Sequence, residues 1–149
     1  MLPRVEYSVT ARATPEELWG AFSNLSRLLG RGIYSEANWT EGEPWQTGSR
    51  LRYVVERPLR ATVSGVVTLS EPPSKISLLN HSLGITAEQV VTFTRLNPGT
   101  TRVVMSMEFV GESTAPASIN VAEALRFFTH DALDSMLATF AQNRQSRRT

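Results

Sequence analysis

The chain offers few side chains for metal or nucleophilic chemistry, and their spacing argues against both. His81 and His130 are the only histidines, and they lie far apart in the sequence. Neither has a second ligand at the short separations that zinc sites use. The chain has no cysteine, which excludes thiolate ligands, thiol nucleophiles and disulfides. Glycine-rich phosphate loops are absent too, so we expect no metal and no cofactor.

Acidic pairs are the next candidates, because two carboxylates can share acid–base work. Glu16 and Glu17 fit the start of a helix, while Glu41 and Glu43 fall in a turn where carboxylates are usually solvated. A general acid with a raised pKa has to be buried. Only Glu41 and Glu88 lie near a predicted rim or interior, and the pattern does not fix which way they face. Whether the protein is an enzyme therefore stays open.

A more suggestive set consists of inward-facing side chains on five different predicted strands. Tyrosine and tryptophan offer apolar bodies with a donor at the tip, and amides both donate and accept. A mostly apolar pocket with a few such groups is typical of small-molecule sites. Alternatively, each group reaches solvent or binds backbone. With inward methionines and one face of a C-terminal helix added, the predicted ligand-binding residues are Tyr7, Trp39, Tyr53, Asn80, Gln89, Met105, Met107, Phe128, Ala132 and Met136.

The helix that would cover this set is the longest predicted element. Apolar residues recur every three or four positions from Val121 to Phe140, which is one stripe of an α-helix. Ser118 and Asn120 are candidate caps. The pattern predicts a helix over about residues 118–144.

Alternating apolar and polar residues predict seven strands with short connections, which favours antiparallel neighbours. Two short helices are expected after the first strand, starting at Thr14-Pro15 and broken near Asn24. The inward face of strands 34–41 and 86–96 is open, because a one-residue slip exchanges the two faces. A sheet with one apolar face needs a cover, and only the long helix can supply it. The expected strands span about 5–11, 34–41, 49–56, 61–69, 75–82, 86–96 and 102–109.

Three stretches give this order of elements a family resemblance. Residues 13–19, with the sequence Ala-Thr-Pro-Glu-Glu-Leu-Trp, resemble the alanine–proline–acidic–tryptophan opening of the START-like, or SRPBCC, superfamily. Residues 44–51 resemble its glycine turn into the third strand, and residues 97–103 resemble its Gly-Thr-Arg-Val turn, here with an extra threonine. The resemblance is to the polyketide cyclase/dehydrase-like branch. It implies an α+β helix-grip fold: a single domain over residues 1–149, with a seven-stranded antiparallel sheet wrapped around the C-terminal helix.

The resemblance also implies a function class, because such proteins typically enclose an elongated apolar cavity between sheet and helix. Three alternatives stay open: a carrier of a lipid-, polyketide- or quinone-like molecule, a polyketide cyclase/dehydrase-type enzyme, and a co-chaperone-like interaction protein without a cavity. In the enzyme, Tyr53, Asn80 or Tyr7 would polarise a carbonyl. Glu41 or Glu88 would then move the proton.

Composition narrows the partners further. The 149 residues are 41% hydrophobic and 19% charged, with a net charge of +1, which is ordinary for a folded domain and gives no reason to expect nucleic acid. No apolar run approaches the roughly 20 residues that span a bilayer. We therefore expect a cytoplasmic protein that binds a small hydrophobic ligand without nucleic-acid binding or membrane insertion. A homodimer is one open alternative for its assembly.

Overall fold

The computed structural model describes residues 4–29, 33–57, 60–110, 121–140 and 142–148. The described residues form eight strands, two α-helices and one short 3-10 helix. The elements in chain order are β1 Arg4–Ala11, α1 Pro15–Ser23, the 3-10 helix Leu25–Leu28, β2 Tyr34–Glu41, β3 Arg50–Val55, β4 Ala61–Glu71, β5 Lys75–Ser82, β6 Ile85–Asn97, β7 Thr100–Phe109, α2 Val121–Met136 and β8 Gln142–Arg148.

Within the described residues the strands form one antiparallel sheet with the order β2-β3-β4-β5-β6-β7-β1-β8. All seven predicted strands are present. Strands β2 to β7 form a meander, and β1 lies between β7 and β8. Strands β2 and β8 are the two edges, so the sheet is not closed. This confirms the predicted helix-grip arrangement, with an eighth strand that the sequence pattern did not indicate.

The C-terminal helix is shorter than predicted. Residues 118–120 lie outside the described residues, but the helix ends at Met136 rather than near residue 144. A turn follows, and then β8 pairs antiparallel with β1. The segment Gln142–Arg148 contains no apolar residue, so a longer helix would have buried nothing there. Pairing instead satisfies the backbone groups along the β1 edge.

The start of α1 is built as the sequence predicts. Glu17 N donates to Thr14 Oγ1 at 3.1 Å, and Thr14 N donates to Glu17 Oε1 at 3.0 Å, which is a complete capping box. The bond from the Thr14 backbone N–H, with a further contribution from the Thr14 side chain, favours the charged carboxylate and lowers the pKa of Glu17. At the predicted break, Asn24 Oδ1 accepts from Ser26 N at 3.2 Å and caps the 3-10 helix. Leu18 and Phe22 are thereby held in the core.

The buried residues fall into two clusters below the helix. The larger one includes Leu133 of α2 and Leu137 just after it, each 0% exposed, with the 3-10 helix and most of the sheet. The smaller cluster lies at the other end of α2 and includes Leu125. Its members are Val5, Ala87, Met107, Phe109 and Leu125.

The structure also fixes the two open registers. In β6, Ala87, Gln89 and Val91 are buried, so Gln89 faces inward. In β2 a bulge between Tyr34 and Glu36 changes the phase of the strand. Tyr34 is buried as a result, although a strict alternation counted back from Trp39 would place Ser35 inside.

Candidate functional site

Cavity 1 lies between the sheet and the N-terminal half of α2. The space open to the centre of a water-sized sphere is about 60 Å³. On that measure a single water needs only about 10–15 Å³, so cavity 1 has room for more than one water. Its walls come from six strands, β2 to β7, together with the β5–β6 turn and α2. They are formed by Tyr34, Tyr53, Val63, Asn80, Ser82, Leu83, Ile85, Ala87, Gln89, Met107, Ala124, Leu125 and Phe128.

Cavity 2 is smaller, about 30 Å³ on the same measure, and lies under the C-terminal half of α2. It shares Tyr34, Tyr53 and Gln89 with cavity 1. These three side chains therefore separate the two spaces. The full lining is Phe22, Leu25, Leu28, Tyr34, Trp45, Tyr53, Leu78, Gln89, Val91, Met105, Ala132 and Met136.

Two tyrosines supply the phenol groups at this partition. The rings of Tyr34 and Tyr53 meet edge to face with centroids 5.7 Å apart, and the residues are 8% and 9% exposed. Within the part of the chain that the structure describes, neither hydroxyl has a hydrogen-bond partner. Burial raises the pKa of both phenols, and nearby Asp131 contributes for Tyr34. Both are therefore protonated donors at neutral pH.

The amides at the cavity largely satisfy each other. Asn80 Nδ2 donates to Gln89 Oε1 at 2.9 Å, and Gln89 Nε2 donates to Met105 Sδ at 3.2 Å. Asn80 Oδ1 is buried without a partner among the described groups. It lies against Gly65, its neighbour on β4, where a Cβ would come within 2.5 Å of it. Glycine at this position makes room for the amide.

Eight of the ten predicted site residues line a cavity. Cavity 1 has Tyr53, Asn80, Gln89, Met107 and Phe128, while Tyr53, Gln89, Met105, Ala132 and Met136 line cavity 2. The predicted set thus comes together beneath α2, divided between two spaces. Whether these residues bind a ligand stays a prediction.

The other two predicted residues, Tyr7 and Trp39, lie outside both linings. Tyr7 Oη donates to Asp134 Oδ1 at 2.9 Å, and its ring stacks on His130 with centroids 4.1 Å apart. Trp39 Nε1 donates to the carbonyl of Ser23 at 3.1 Å, so its polar tip binds backbone. Both side chains tie a helix to the sheet.

Sequence reasoning missed Tyr34, which lines both cavities. The β2 bulge moves it to the inner face, and a two-residue period carries no sign of a bulge. Leu125 was already visible in the helical stripe, and its place in the lining follows from the same stripe as Phe128. Leu83 in the β5–β6 turn and Ile85 at the start of β6 form another part of the wall, and only the tertiary structure decides the position of this turn over the cavity.

The carboxylates suggested for proton transfer do not face the cavities, which corrects that part of the enzyme hypothesis. Glu41 is exposed and pairs with Arg50 at 3.3 Å, and Glu88 is exposed on the outer face of β6. His81 is exposed too, with Nδ1 2.9 Å from Thr86 Oγ1. No charged residue lines either cavity among the described residues.

Other titratable groups lie on α2 beside the cavities. Partial burial is the main cause that lowers the pKa of His130 and raises the pKa of Asp131. Asp131 Oδ2 accepts a hydrogen bond from Ile33 N at 3.3 Å, which ties α2 to the start of β2. Over the described ranges, no three histidine or acidic side chains come together as metal ligands. A helix long and apolar enough to cross a membrane is likewise not found in the described part.

No protein-family model and no curated protein sequence matches this chain. Solved structures do match. The Zhui aromatase/cyclase from Streptomyces sp. R1128 is 14% identical with a TM-score of 0.73, covering 93% of each chain. A START superfamily protein from Mycobacterium smegmatis is 14% identical with a TM-score of 0.72, covering 92% of this chain and 96% of its own. An HSP90 activator from Plasmodium falciparum is 14% identical with a TM-score of 0.69, covering 95% of this chain and 99% of its own.

These similarities extend over almost the whole chain, at identities that show the fold alone. The chain has the START-like fold that its turns and caps indicated. An enzyme and an HSP90 activator both share this fold, so the fold does not choose between the functions considered above.

Proposed function

We propose that this protein binds a small hydrophobic molecule, of lipid-, polyketide- or quinone-like character, in cavity 1. The observation that supports this most directly is an apolar cavity that reaches the buried hydroxyls of Tyr34 and Tyr53. Small-molecule sites combine an apolar wall with a few polar groups that fix orientation. The partition residues Tyr34, Tyr53 and Gln89 also touch cavity 2, so a longer ligand would extend there if their side chains turned aside.

The polyketide cyclase/dehydrase alternative has less support from the site. Such chemistry needs an acid or base within reach of the substrate. Among the described residues, the linings contain phenols and amides but no carboxylate or imidazole. The co-chaperone-like alternative predicts a filled core, whereas cavity 1 leaves about 60 Å³ open beneath α2. The proposal keeps a cytoplasmic location and no role in nucleic-acid binding, as the composition suggested, and leaves a homodimer open.

Binding can be tested by fluorescence titration with N-phenyl-1-naphthylamine, an uncharged apolar dye. We expect saturable binding to the wild-type protein. Ala124→Leu places extra volume into cavity 1 from its α2 wall and should weaken binding at least about tenfold, since filling the space removes the contacts of the dye.

The matched control is Ala122→Leu, the same substitution on an exposed position two residues away on α2. It should leave dye affinity unchanged, because leucine is also a good helix former. Circular dichroism should show both variants folded. Equal affinity in all three proteins would mean that the dye binds elsewhere, and no saturable binding at all would reject the proposal.

A further inference from the structure

We propose that Tyr34 and Tyr53 form a pair of donors for one carbonyl oxygen. This proposal rests on the proposed function and narrows its ligand to a neutral, mostly apolar molecule that carries a ketone or quinone group. It assigns a role to Tyr34, which the sequence pattern did not place in the site.

The first support is the state of the two hydroxyls. Both side chains are at least nine-tenths buried, both line cavity 1 and cavity 2, and their ring centroids are 5.7 Å apart. Neither hydroxyl has a partner within the described residues. Neither oxygen is among the fully buried unpartnered atoms, so both keep some accessible surface, and an acceptor from outside the chain, a water or a ligand, can reach them. A carbonyl oxygen has two lone pairs and can accept from both phenols.

The second support is that the other side-chain donor groups of cavity 1 each already make a hydrogen bond. Asn80 Nδ2 and both ends of the Gln89 amide are engaged by each other and by Met105. Ser82 Oγ donates to the carbonyl of Thr62 at 2.8 Å. The two phenols are therefore the donor groups of the described lining for which no hydrogen bond is found, although each amide keeps a second N–H.

The third support concerns charge. The described lining of cavity 1 holds no arginine, lysine or histidine. A carboxylate or phosphate placed there would lose its hydration without gaining a cation, which is strongly unfavourable. The interior of the cavity therefore suits a neutral ketone or quinone and rejects a fatty-acid anion or a phospholipid head group.

The test compares 1-tetralone with tetralin, which share a two-ring skeleton and differ by one carbonyl group. Displacement of N-phenyl-1-naphthylamine gives both affinities. We expect the wild-type protein to bind 1-tetralone more tightly. Tyr34→Phe and Tyr53→Phe should each lower 1-tetralone affinity about 3- to 10-fold, which corresponds to one net hydrogen bond. Tetralin affinity should change less than about twofold, and the double variant should show no preference for the ketone.

Tyr7→Phe is the matched control, since Tyr7 is the remaining tyrosine, is 4% exposed and lies outside both linings. Its hydroxyl already donates to Asp134, so its loss should leave the ketone preference intact. A preference that survives in the double variant, or equal wild-type affinities for the two compounds, would overturn the carbonyl pair while leaving the binding function standing. If neither compound nor the dye binds, the proposed function itself fails.

Discussion

The two halves of α2 lie on the same sheet but meet different surroundings. Leu133 and Leu137 in and just after the second half are 0% exposed and belong to the large core cluster. Leu125 in the first half belongs to the small cluster and borders cavity 1. One apolar stripe therefore covers the larger cavity 1 at its N-terminal end and the smaller cavity 2 at its C-terminal end. The larger space at one end reflects what faces the helix rather than a change in the helix sequence.

The 3-10 helix packs against the second half of α2 and leaves less space there than under the first half. Arg27 Nε donates to the carbonyl of Met136 at 3.0 Å, and its guanidinium lies 5.4 Å from the Phe140 ring centroid. A cation at the last carbonyls of a helix is favoured by the helix dipole. Leu25 and Leu28 of the same short helix are buried beneath. The first half of α2 has no such neighbour among the described elements and faces the sheet and the β5–β6 turn.

The two halves of α2 should differ most in the free energy of unfolding that is lost when a leucine is truncated to alanine. Leu133→Ala should lower the free energy of unfolding by about 3–5 kcal/mol, because it opens a void in a closed core. Leu125→Ala should lower it by about 2 kcal/mol, since one side of that residue already borders empty space. Urea denaturation of both variants measures the contrast. Equal losses would mean that cavity 1 is filled in solution.

Adding side-chain volume should change the free energy of unfolding in opposite directions in the two halves of α2. Ala124→Leu fills part of cavity 1 and should raise the free energy of unfolding by about 0.5–1 kcal/mol. Ala132→Leu, on the wall of the smaller cavity 2, should lower it by about 1–3 kcal/mol through overpacking. Urea denaturation again gives both values. Destabilisation by Ala124→Leu as large as by Ala132→Leu would remove the distinction between the two cavities.

The rim of cavity 1 holds backbone strain in the β5–β6 turn. Leu83 has φ 53° and Gly84 has φ 73°, so both residues of the β5–β6 turn are left-handed. Asparagine adopts this conformation more readily than leucine. Leu83→Asn should therefore raise the free energy of unfolding by about 0.5–1 kcal/mol, measured by thermal denaturation. Leu96→Asn, on an exposed leucine with ordinary backbone, should bring no gain; a gain there of similar size would attribute the effect to surface polarity.

Asp131, between the two halves, gives a pH-dependent comparison. Its folded pKa is raised, mainly by burial, so folding favours the protonated acid, and stability falls as pH rises through the interval from its ordinary value of 3.8 to the raised pKa. Asp131→Asn removes this ionisation and keeps an oxygen that can accept from Ile33 N. The variant should exceed the wild type in melting temperature near neutral pH, and the difference should vanish below about pH 3. A constant difference across the whole range would show that ionisation of Asp131 is not its cause.

Interactions between residues close together in the sequence determined most of the helices and strands of this protein. The capping box at Thr14 and Glu17 lies within four residues, so its geometry follows from the sequence itself. Period-two alternation was sufficient to locate seven strands, because one face of each strand must be buried whatever its neighbours are. The helical stripe likewise placed Phe128, Ala132 and Met136 on one face of the C-terminal helix, towards the sheet.

Only the tertiary structure decided the rest, because the deciding partners are distant in sequence. Helix α2 ends at Met136. The segment Gln142–Arg148 has no apolar side chain that a longer helix could bury, and as β8 it forms backbone hydrogen bonds with β1 instead. Tyr34 enters the site through a bulge set by its pairing with β3. Tyr7 lies outside both cavity linings. Its hydroxyl donates to Asp134 and its ring stacks on His130, and both partners are more than a hundred residues away in the sequence. Cavity 1 itself exists because the inner face of the sheet and the first half of α2 do not fill the space between them. Neither the strand sequences nor the helix sequence specifies this alone.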